Sequence, residues 1–534
     1  MQTEIRGSYM KKWTKLLSLA LSLATAAGIP VISNAGMAEA ADTAASVTTI
    51  AAYGPDHLIK RDGSLWVWGD SRPVPTRVPG LTEVKASFGL AGGGGLAVKQ
   101  DLSVWQWQTN AKTSAMETVQ VPEMTGLTDL AMVQGTYLAI NAEGAVYQAE
   151  FLDNGGGSVS FSPVAGIDGV TAARGYSEDN EQGSWKRFLF LKQDGTVWTS
   201  TDQLRSFQPV QKLSGILQLE SNFALAGDGT VWTWPIESIY NPVTGSDVMN
   251  PVPVTGLKDI RILHDNGRST LAIDNNAGLW FRGMTITGSS DGTAFHEQAL
   301  PLRFSGIRNV THAYIMERSI VALTSGGKVY TASIGEETIT ADAVFTLLAS
   351  NITSIEGGGR HVIMQKSDGT LWGWGVNKNA QLGYANYDFS FDQPVPMQKP
   401  VTLTLNGETV NLTSGVITRS GQNFVPLRSL FDKLGAIVAY KENHTTIPTS
   451  NGGTASKVEK IVTITRTAAS KPALSISINT VSGETTVNGT VVALATPPFI
   501  VNGTLYLPLR FISEQLGATV SWLPQQEEIA ISMK

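Results

Sequence analysis

Short apolar runs punctuated by a recurring polar turn set the pattern of this chain. Runs such as Leu189-Phe190-Leu191, Phe223-Ala224-Leu225-Ala226 and His361-Val362-Ile363-Met364 end at an acidic or Gly turn. An aromatic residue follows two to four positions later. The tightest copies are Asp62-Gly63-Ser64-Leu65-Trp66, Asp228-Gly229-Thr230-Val231-Trp232 and Asp368-Gly369-Thr370-Leu371-Trp372, and looser ones centre on Trp105, Tyr147, Trp198, Trp280 and Tyr330. Asp-Gly between alternating runs predicts a β-hairpin with a two-residue turn, where Asp tolerates positive φ and Gly accepts it freely. Beyond the turn, Trp66 and Trp68, Trp105 and Trp107, Trp232 and Trp234, and Trp372 and Trp374 stand two apart, which places each pair on one face of a strand.

The repeat recurs about every 44 residues, the range of propellers and solenoids. Ten of the 13 Trp residues belong to it. Units that cannot bury a face alone bury it on their neighbours, so these Trp residues, with Trp66, Trp232 and Trp372 foremost, are expected to pack between sheets rather than to form a ligand platform. A second mark is Gly-Leu or Gly-Ile at Gly80, Gly126, Gly166, Gly215, Gly256 and Gly306, with Asn351-Ile352 as the seventh. Pro79, Pro122, Pro163, Pro209, Pro253 and Pro301 precede it and suit edge strands, because proline has no donor for a central ladder. A small antiparallel sheet repeated about eight times loses its exposed edges by closing in a ring.

The last unit runs from Gly357-Gly358-Gly359-Arg360-His361 through Trp372-Gly373-Trp374-Gly375 to Asn379-Ala380-Gln381-Leu382-Gly383. It resembles the repeat of the regulator of chromosome condensation family, with Ala380 replacing the first Gly of the final tetrad. The resemblance spans roughly 46–398 and implies a propeller, seven-bladed in typical members. Eukaryotic members bind chromatin and act on small GTPases, but no residue set for that role carries over. His361 reads as a hydrogen-bonded structural residue.

Beyond about Asp392 the pattern changes. Pro394, Pro396 and Pro400 predict an extended linker. A different duplication follows: Asn406-Gly407, Pro426-Leu427-Arg428, Leu434-Gly435-Ala436 and Tyr440 recur at a constant offset of 82 as Asn488-Gly489, Pro508-Leu509-Arg510, Leu516-Gly517-Ala518 and Trp522. Each copy reads as a strand, Pro at the first helical position, a helix and a left-handed Gly cap, and in the second copy Leu509, Ile512 and Leu516 fall on one helical face. The segment from Val401 to Lys534 resembles the copper amine oxidase N-terminal-like domain. Its only imidazole is His444, which cannot by itself build a copper site. Arg428 and Arg510 read as structural partners of carboxylates or carbonyls, with anion binding as the alternative.

The amino terminus carries Lys11, Lys12 and Lys15, an apolar run from Leu16 to Ala27, and Ala38-Glu39-Ala40. This is the layout of a secretory signal peptide, and the apolar run is too short to span a membrane. Removing the leader takes away more cations than acids, so the mature chain is more acidic than its formal charge of −6. That balance argues against nucleic acid as the main partner. The absence of cysteine excludes disulfides and Cys-ligated zinc. The six His residues show no metal-ligand spacing, and Gly92-Gly93-Gly94-Gly95 lacks the Lys-Ser/Thr of a phosphate loop.

The chain therefore reads as mainly β: a signal peptide over 1–40, a seven- or eight-bladed β-propeller over 46–398, and a small C-terminal α+β domain of duplicated strand-helix-strand units over 399–534. No catalytic, cofactor or metal residue is assigned. The expected function is non-catalytic binding of a protein or cell-wall polymer by a secreted protein whose attachment to the wall, where present, is non-covalent. Specificity is expected in the insertions Asp153–Ser162, Ser177–Trp185 and Thr285–Glu297, with the C-terminal module as accessory contact. The alternative is a carbohydrate-active enzyme with acids gathered at the propeller mouth. Mass spectrometry of culture medium should show a chain beginning near Ala41; recovery of Leu16 to Ala27 in a membrane-bound chain would contradict export.

Overall fold

The computed structural model describes residues 49–533 apart from 91–92, 111, 152–158, 181–182, 237–246, 289–291, 432, 449–453 and 467–472. The leader expected over 1–40 lies outside the described residues. Eight four-stranded antiparallel sheets follow one another over 50–77, 84–125, 127–163, 170–209, 216–253, 260–303, 310–350 and 352–396. These are eight propeller blades, with strands a to d in sequence order. The eighth holds Ser390–Pro396 as its strand d. Pro394 and Pro396 thus lie on an edge strand, where a missing N–H costs nothing, and not in the expected linker.

The repeated turn differs from the expected two-residue type. The Gly63 N–H donates to the Lys60 carbonyl and the Lys60 N–H to the Ser64 carbonyl, enclosing three residues. Only the third of these is left-handed (Gly63, Gly195, Gly229 and Gly369, φ 75–84°), which is a type I turn closed by a bulge. Asp therefore serves through its side chain. The Asp62 carboxylate accepts from the Ser64 N–H at 2.8 Å and Oγ at 2.6 Å, and Ser64 Oγ accepts the Trp66 indole N–H at 2.9 Å. Asp101-Ser103-Trp105 and Asp194-Thr196-Trp198 repeat this relay. Lys60, Lys99 and Lys192 lie over the same three indoles at 5.0–5.7 Å.

This relay pins the tryptophans but does not bury them all. Trp66 is 1% exposed, whereas Trp232 and Trp372 are half-buried, contrary to expectation. The residue just before each aromatic carries the core: Leu65, Val104, Val146, Val197, Val231, Leu279, Val329 and Leu371 are all buried.

The chain divides into two compact units, one holding 83–108 and 118–371, the other 50–82, 109–117 and 372–534. Within the first, each b–c turn is stapled to the next blade. Gly144, Gly195, Gly229, Ala277 and Gly327 carbonyls accept the N–H groups of Val170, Ile216, Ile260, Val310 and Ile352 at 2.9–3.1 Å. Glycine permits this approach: a Cβ on Gly229 would meet the Asp259 Cα at 2.8 Å.

The second unit joins the first blade to the end of the last and to the C-terminal module. Trp68 Nε1 donates to the Gln381 carbonyl at 2.8 Å, and the Ala385 N–H to the Pro73 carbonyl at 2.9 Å. The Gly359–His361 turn of the last repeat has its counterpart in the first, since a Cβ on Gly54 or Gly358 would strike His57 or His361. Both imidazoles pack on glycine.

The duplicated units of the module meet on a local two-fold. Strand Gln422–Pro426 pairs antiparallel with Thr504–Pro508, and Val425 faces Leu507, its own equivalent at the offset of 82. Helices α1 (Leu427–Phe431) and α2 (Leu509–Gln515) follow. Pro508 is the N-cap of α2 and so lies one residue outside the helix, not at its first position. Leu509, Ile512 and Leu516 are buried, and Gly435 and Gly517 are left-handed, as the pattern predicts. The module packs Ile417, Phe424, Val501 and Tyr506 against Val74 of blade 1 and Ala385. Lys60, 4% exposed, donates to the Pro400 carbonyl at 2.5 Å and pairs with Glu527 at 2.9 Å. Lys60→Met should lower the stability of the full chain by about 3 kcal/mol in urea denaturation, because it removes a buried ion pair and takes the donor from the Pro400 carbonyl; a change below about 1 kcal/mol would mean that the ion pair is immaterial.

Candidate functional site

Strand a is the innermost strand of a propeller blade, and its register decides which side chains gather there. A left-handed residue precedes strand a in blades 2 to 8: Glu83, Gly126, Gly169, Gly215, Asp259, Asn309 and Asn351, with φ from 56° to 64°. Its carbonyl accepts the N–H of the residue that follows strand b, at 2.8–2.9 Å. The sequence mark at Gly80, Gly166, Gly256 and Gly306 is thus a different position from Gly126, Gly215 and Asn351. A buried Val, Leu or Ile follows, and then a bulge in all eight blades. The bulge inverts the period of two, so the residues one and four places after the left-handed residue share the buried face. From blade 4 to blade 8, the fifth place holds Arg174, Glu220, His264, Tyr314 and Glu356. All five are half-buried.

Their partners differ. Arg174 Nη1 donates to Asp129 at 2.9 and 3.2 Å and to the Ala173 carbonyl at 2.6 Å, while the Ala173 N–H donates to Asp129 at 3.0 Å. Asp129 therefore clamps blade 3 to blade 4. Gln218 does the same between blades 5 and 6, accepting the Leu263 N–H at 3.2 Å and donating to the Leu263 carbonyl at 2.5 Å and to Glu220 at 2.7 Å. Asp265 accepts from the Gly267 N–H at 3.0 Å and Thr270 Oγ1 at 3.1 Å. The His264 and Tyr314 rings meet at 5.0 Å. Neither has a hydrogen-bond partner among the described residues.

The electrostatics follow from burial. Glu220 is pushed up to about 7 by burial, against the opposing pull of Arg174. Burial also raises Asp265. His264 is pushed down to about 4 by burial and by His312, so its imidazole is neutral. The Tyr314 phenol is raised by burial and by Glu356. Acids do gather, as the enzymatic alternative requires, but Asp129 is neutralised by Arg174. No group of three or more His, Asp or Glu residues able to hold a metal ion occurs among the described residues. Sequence reasoning missed this arc because the bulge hides the equivalence of its members.

The insertions stand at one end of the blades. Strands alternate in direction, so a–b and c–d connections share an end opposite the Asp-Gly turns. In blade 4, strands Val170–Asn180 and Gly183–Lys192 pair out to Asn180 and Gly183, and in blade 6 Leu279–Thr287 pairs with Ala294–Arg303. Ser177–Trp185 and Thr285–Glu297 are therefore mostly paired hairpin rather than loop, while 153–158 of the third insertion lies outside the described residues. Trp185 and Phe295 are exposed on these hairpins, and Phe151 at the end of its strand in blade 3. Arg268 lies 4.5 Å over Phe295. In the module, Arg510 is exposed and lies 3.7 Å from Glu514, and the side chain of Arg428 lies outside the described residues. His444 pairs with Glu442 at 3.0 Å on an exposed strand.

Residues 404–531 match the family described as the copper amine oxidase N-terminal domain. The C-terminal segment is such a domain. The eight four-stranded sheets before it are propeller blades. No curated protein matches the chain. Similar solved structures include human WBSCR16 (15% identity, 53% of this chain and 84% of that one, TM-score 0.37). Prp20p of Saccharomyces cerevisiae, described with its binding to Gsp1p and histones, aligns at 14% identity over 65% of this chain and 88% of its own, TM-score 0.38. The computationally designed Ika8 protein aligns at 15% identity over 62% and 97%, TM-score 0.37. At such scores the propeller assignment rests on the eight sheets themselves. No helix among the described residues is long and apolar enough to cross a membrane.

The raised Glu220 sets a pH dependence. Its charged form is disfavoured in the folded chain, so its cost is absent below the ordinary carboxylate range and complete above about 7. Glu220→Gln should therefore match the native chain near pH 4.5 and exceed its stability at pH 8 by up to about 3 kcal/mol, read as melting temperature across pH. Equal melting at both pH values would show Glu220 to be freely solvated.

Proposed function

We propose that this is an exported binding protein that engages a protein or cell-wall polymer through the end of the propeller carrying the long hairpins. One observation carries the reading: the long paired hairpins of blades 4 and 6 emerge at the same end, where they present Trp185 and Phe295 to solvent. The opposite end is occupied by the repeated Asp-Gly turns, which are consumed in stapling blade to blade. Specificity borne by connections on a rigid scaffold is the usual division of labour, and exposed aromatics supply contact area at low entropic cost. Paired hairpins suit this role better than open loops, since less conformational freedom is lost on binding. The module's packing on the first blade makes it part of the scaffold and leaves its own outer strands as the accessory contact.

The test is saturable retention of the purified full chain on isolated cell-wall and secreted-protein fractions. The double substitution Trp185→Ser with Phe295→Ser should reduce retention at least about tenfold, as for loss of interface aromatics, with melting unchanged. Retention unaltered by that pair, or lost equally on substituting Asp101 and Asp228 in the turns at the opposite end, would refute the assignment of the binding end.

A further inference from the structure

We propose that two copies of this chain associate through the long ribbon of the C-terminal module, by antiparallel pairing of its outer strand Ile437–Pro448 about a two-fold axis at Asn443. The proposal names the occupant of the module's outer strands and does not depend on what the propeller binds.

The internal duplication supplies the reference. In the second copy, strands Ala518–Leu523 and Glu528–Met533 close at the Leu523–Glu528 pair through the turn 524–527. At the offset of 82, Leu523 corresponds to Lys441, which pairs with Ile461. The first copy does not turn there. It adds seven further pairs, from Glu442 with Lys460 to Pro448 with Thr454, without a bulge. The third strand, Leu474–Asn479, reaches only as far as Ile461. Those seven pairs therefore stand as a two-stranded ribbon about 24 Å long. The second copy folds without such a ribbon, and two strands alone in water are marginally stable.

Its chemistry shows what kind of contact completes it. Only the base of the ribbon's sheet reaches the core, where Val462 and Ile464 are buried. Lys441, Glu442, His444 and Thr446 are exposed, and among the described side chains of the seven pairs Val458 alone is apolar. No apolar face is offered, so the unmet demand is that of the backbone edge. The three sheets of the module end in six edge strands. Five of these hold two to six residues, whereas Ile437–Pro448 holds twelve. A long edge without a bulge is a template for a further strand.

Charge selects a second copy as that strand and fixes the register. A two-fold perpendicular to the sheet sets each residue opposite one at an even total offset about the axis. Centring on Lys441 or Glu442 opposes like charges. Centring on His444 sets Tyr440 opposite Pro448, which has no N–H. Centring on Asn443 sets Glu442 opposite the second copy's His444, twice over, and the exposed Tyr440 opposite Thr446, a favourable aromatic–Thr pair. Within each chain His444 Nε2 lies 3.0 Å from Glu442 Oε1, and Glu442 Oε2 accepts from the Tyr440 hydroxyl at 2.9 Å. The imidazole keeps its second nitrogen for the other copy's carboxylate, so acid and imidazole alternate across the joint. Because the strands run antiparallel, each module core lies beyond the tip of the other ribbon, and the added length keeps the two cores apart.

Sedimentation velocity of the full chain, without wall or ligand, should show a reversible monomer–dimer equilibrium with Kd of about 1–100 μM, the range of a small polar interface. His444→Glu opposes two pairs of carboxylates and should weaken the dimer at least about tenfold. Replacing 442–460 by the Pro524-Gln525-Gln526-Glu527 turn of the second copy should abolish it. Glu442→Lys removes both acids and should also dissociate it. Mixed together, the His444→Glu and Glu442→Lys chains oppose unlike charges at both positions and should form heterodimers about as tight as the native dimer, a result that misfolding does not produce. A chain still monomeric at about 300 μM, a dimer that survives replacement of the ribbon, or failure of the mixed variants to pair would overturn the proposal. Trp185 and Phe295 take no part in the joint, so any of those outcomes leaves the binding-end assignment standing.

Discussion

The first unit depends on one backbone arrangement: a left-handed residue, a buried Val, Leu or Ile, and a bulge at the head of each strand a. The left-handed residue turns its carbonyl to the end of strand b, and the N–H of the residue at the head of strand a reaches back to the preceding blade's b–c turn. Both bonds use groups that a sheet end would leave unpaired, so neighbouring blades solve each other's end problem. The bulge then fixes which side chains face the core. Once it is in place, the apolar residues one and four places along are committed to packing, and the fifth place is released to carry Arg174, Glu220, His264, Tyr314 or Glu356.

This explains why chemistry collects where it does. A position outside the core packing, yet deep in the protein, holds polar groups only if neighbours satisfy them. Asp129 and Gln218 do so across blade boundaries by capping the Ala173 and Leu263 N–H groups. Burial raises Glu220 and Asp265, and the facing guanidinium groups of Arg174 and Arg282 only partly offset it.

The second unit shows a different economy. A lysine that elsewhere in the repeat rests on its tryptophan at the surface is, at Lys60, buried against Pro400 and Glu527. The same repeat residue serves both the local turn and the anchorage of the C-terminal module. The module's own two-fold, centred on Val425 and Leu507, brings its two copies into one sheet. Duplicated sequence becomes duplicated structure because equivalent strands pair antiparallel about that axis.

The sequence by itself determined the repeat, the β class, the duplication and the helices with their Gly caps, because Asp-Gly turns, apolar alternation and the Leu509, Ile512, Leu516 spacing are local signals that act within a few residues. It did not distinguish seven blades from eight, since that turns on whether degenerate copies such as Gly144-Ala145-Val146-Tyr147 complete a sheet. Nor did it show that Trp232 is only half-buried while Val231 carries the core, because a strand has two faces and only the neighbouring blade selects between them. Ser177–Trp185 and Thr285–Glu297 looked like loops because polar hairpin strands exposed on both faces lack the apolar alternation that marks a buried one. The arc from Arg174 to Glu356 was hidden for the deepest reason. Its members are about 45 residues apart, and a bulge shifts each one out of the period of two. Only the pairing of whole blades brings them together, because their register is set by backbone bonds between repeats and not by any property of the side chains themselves.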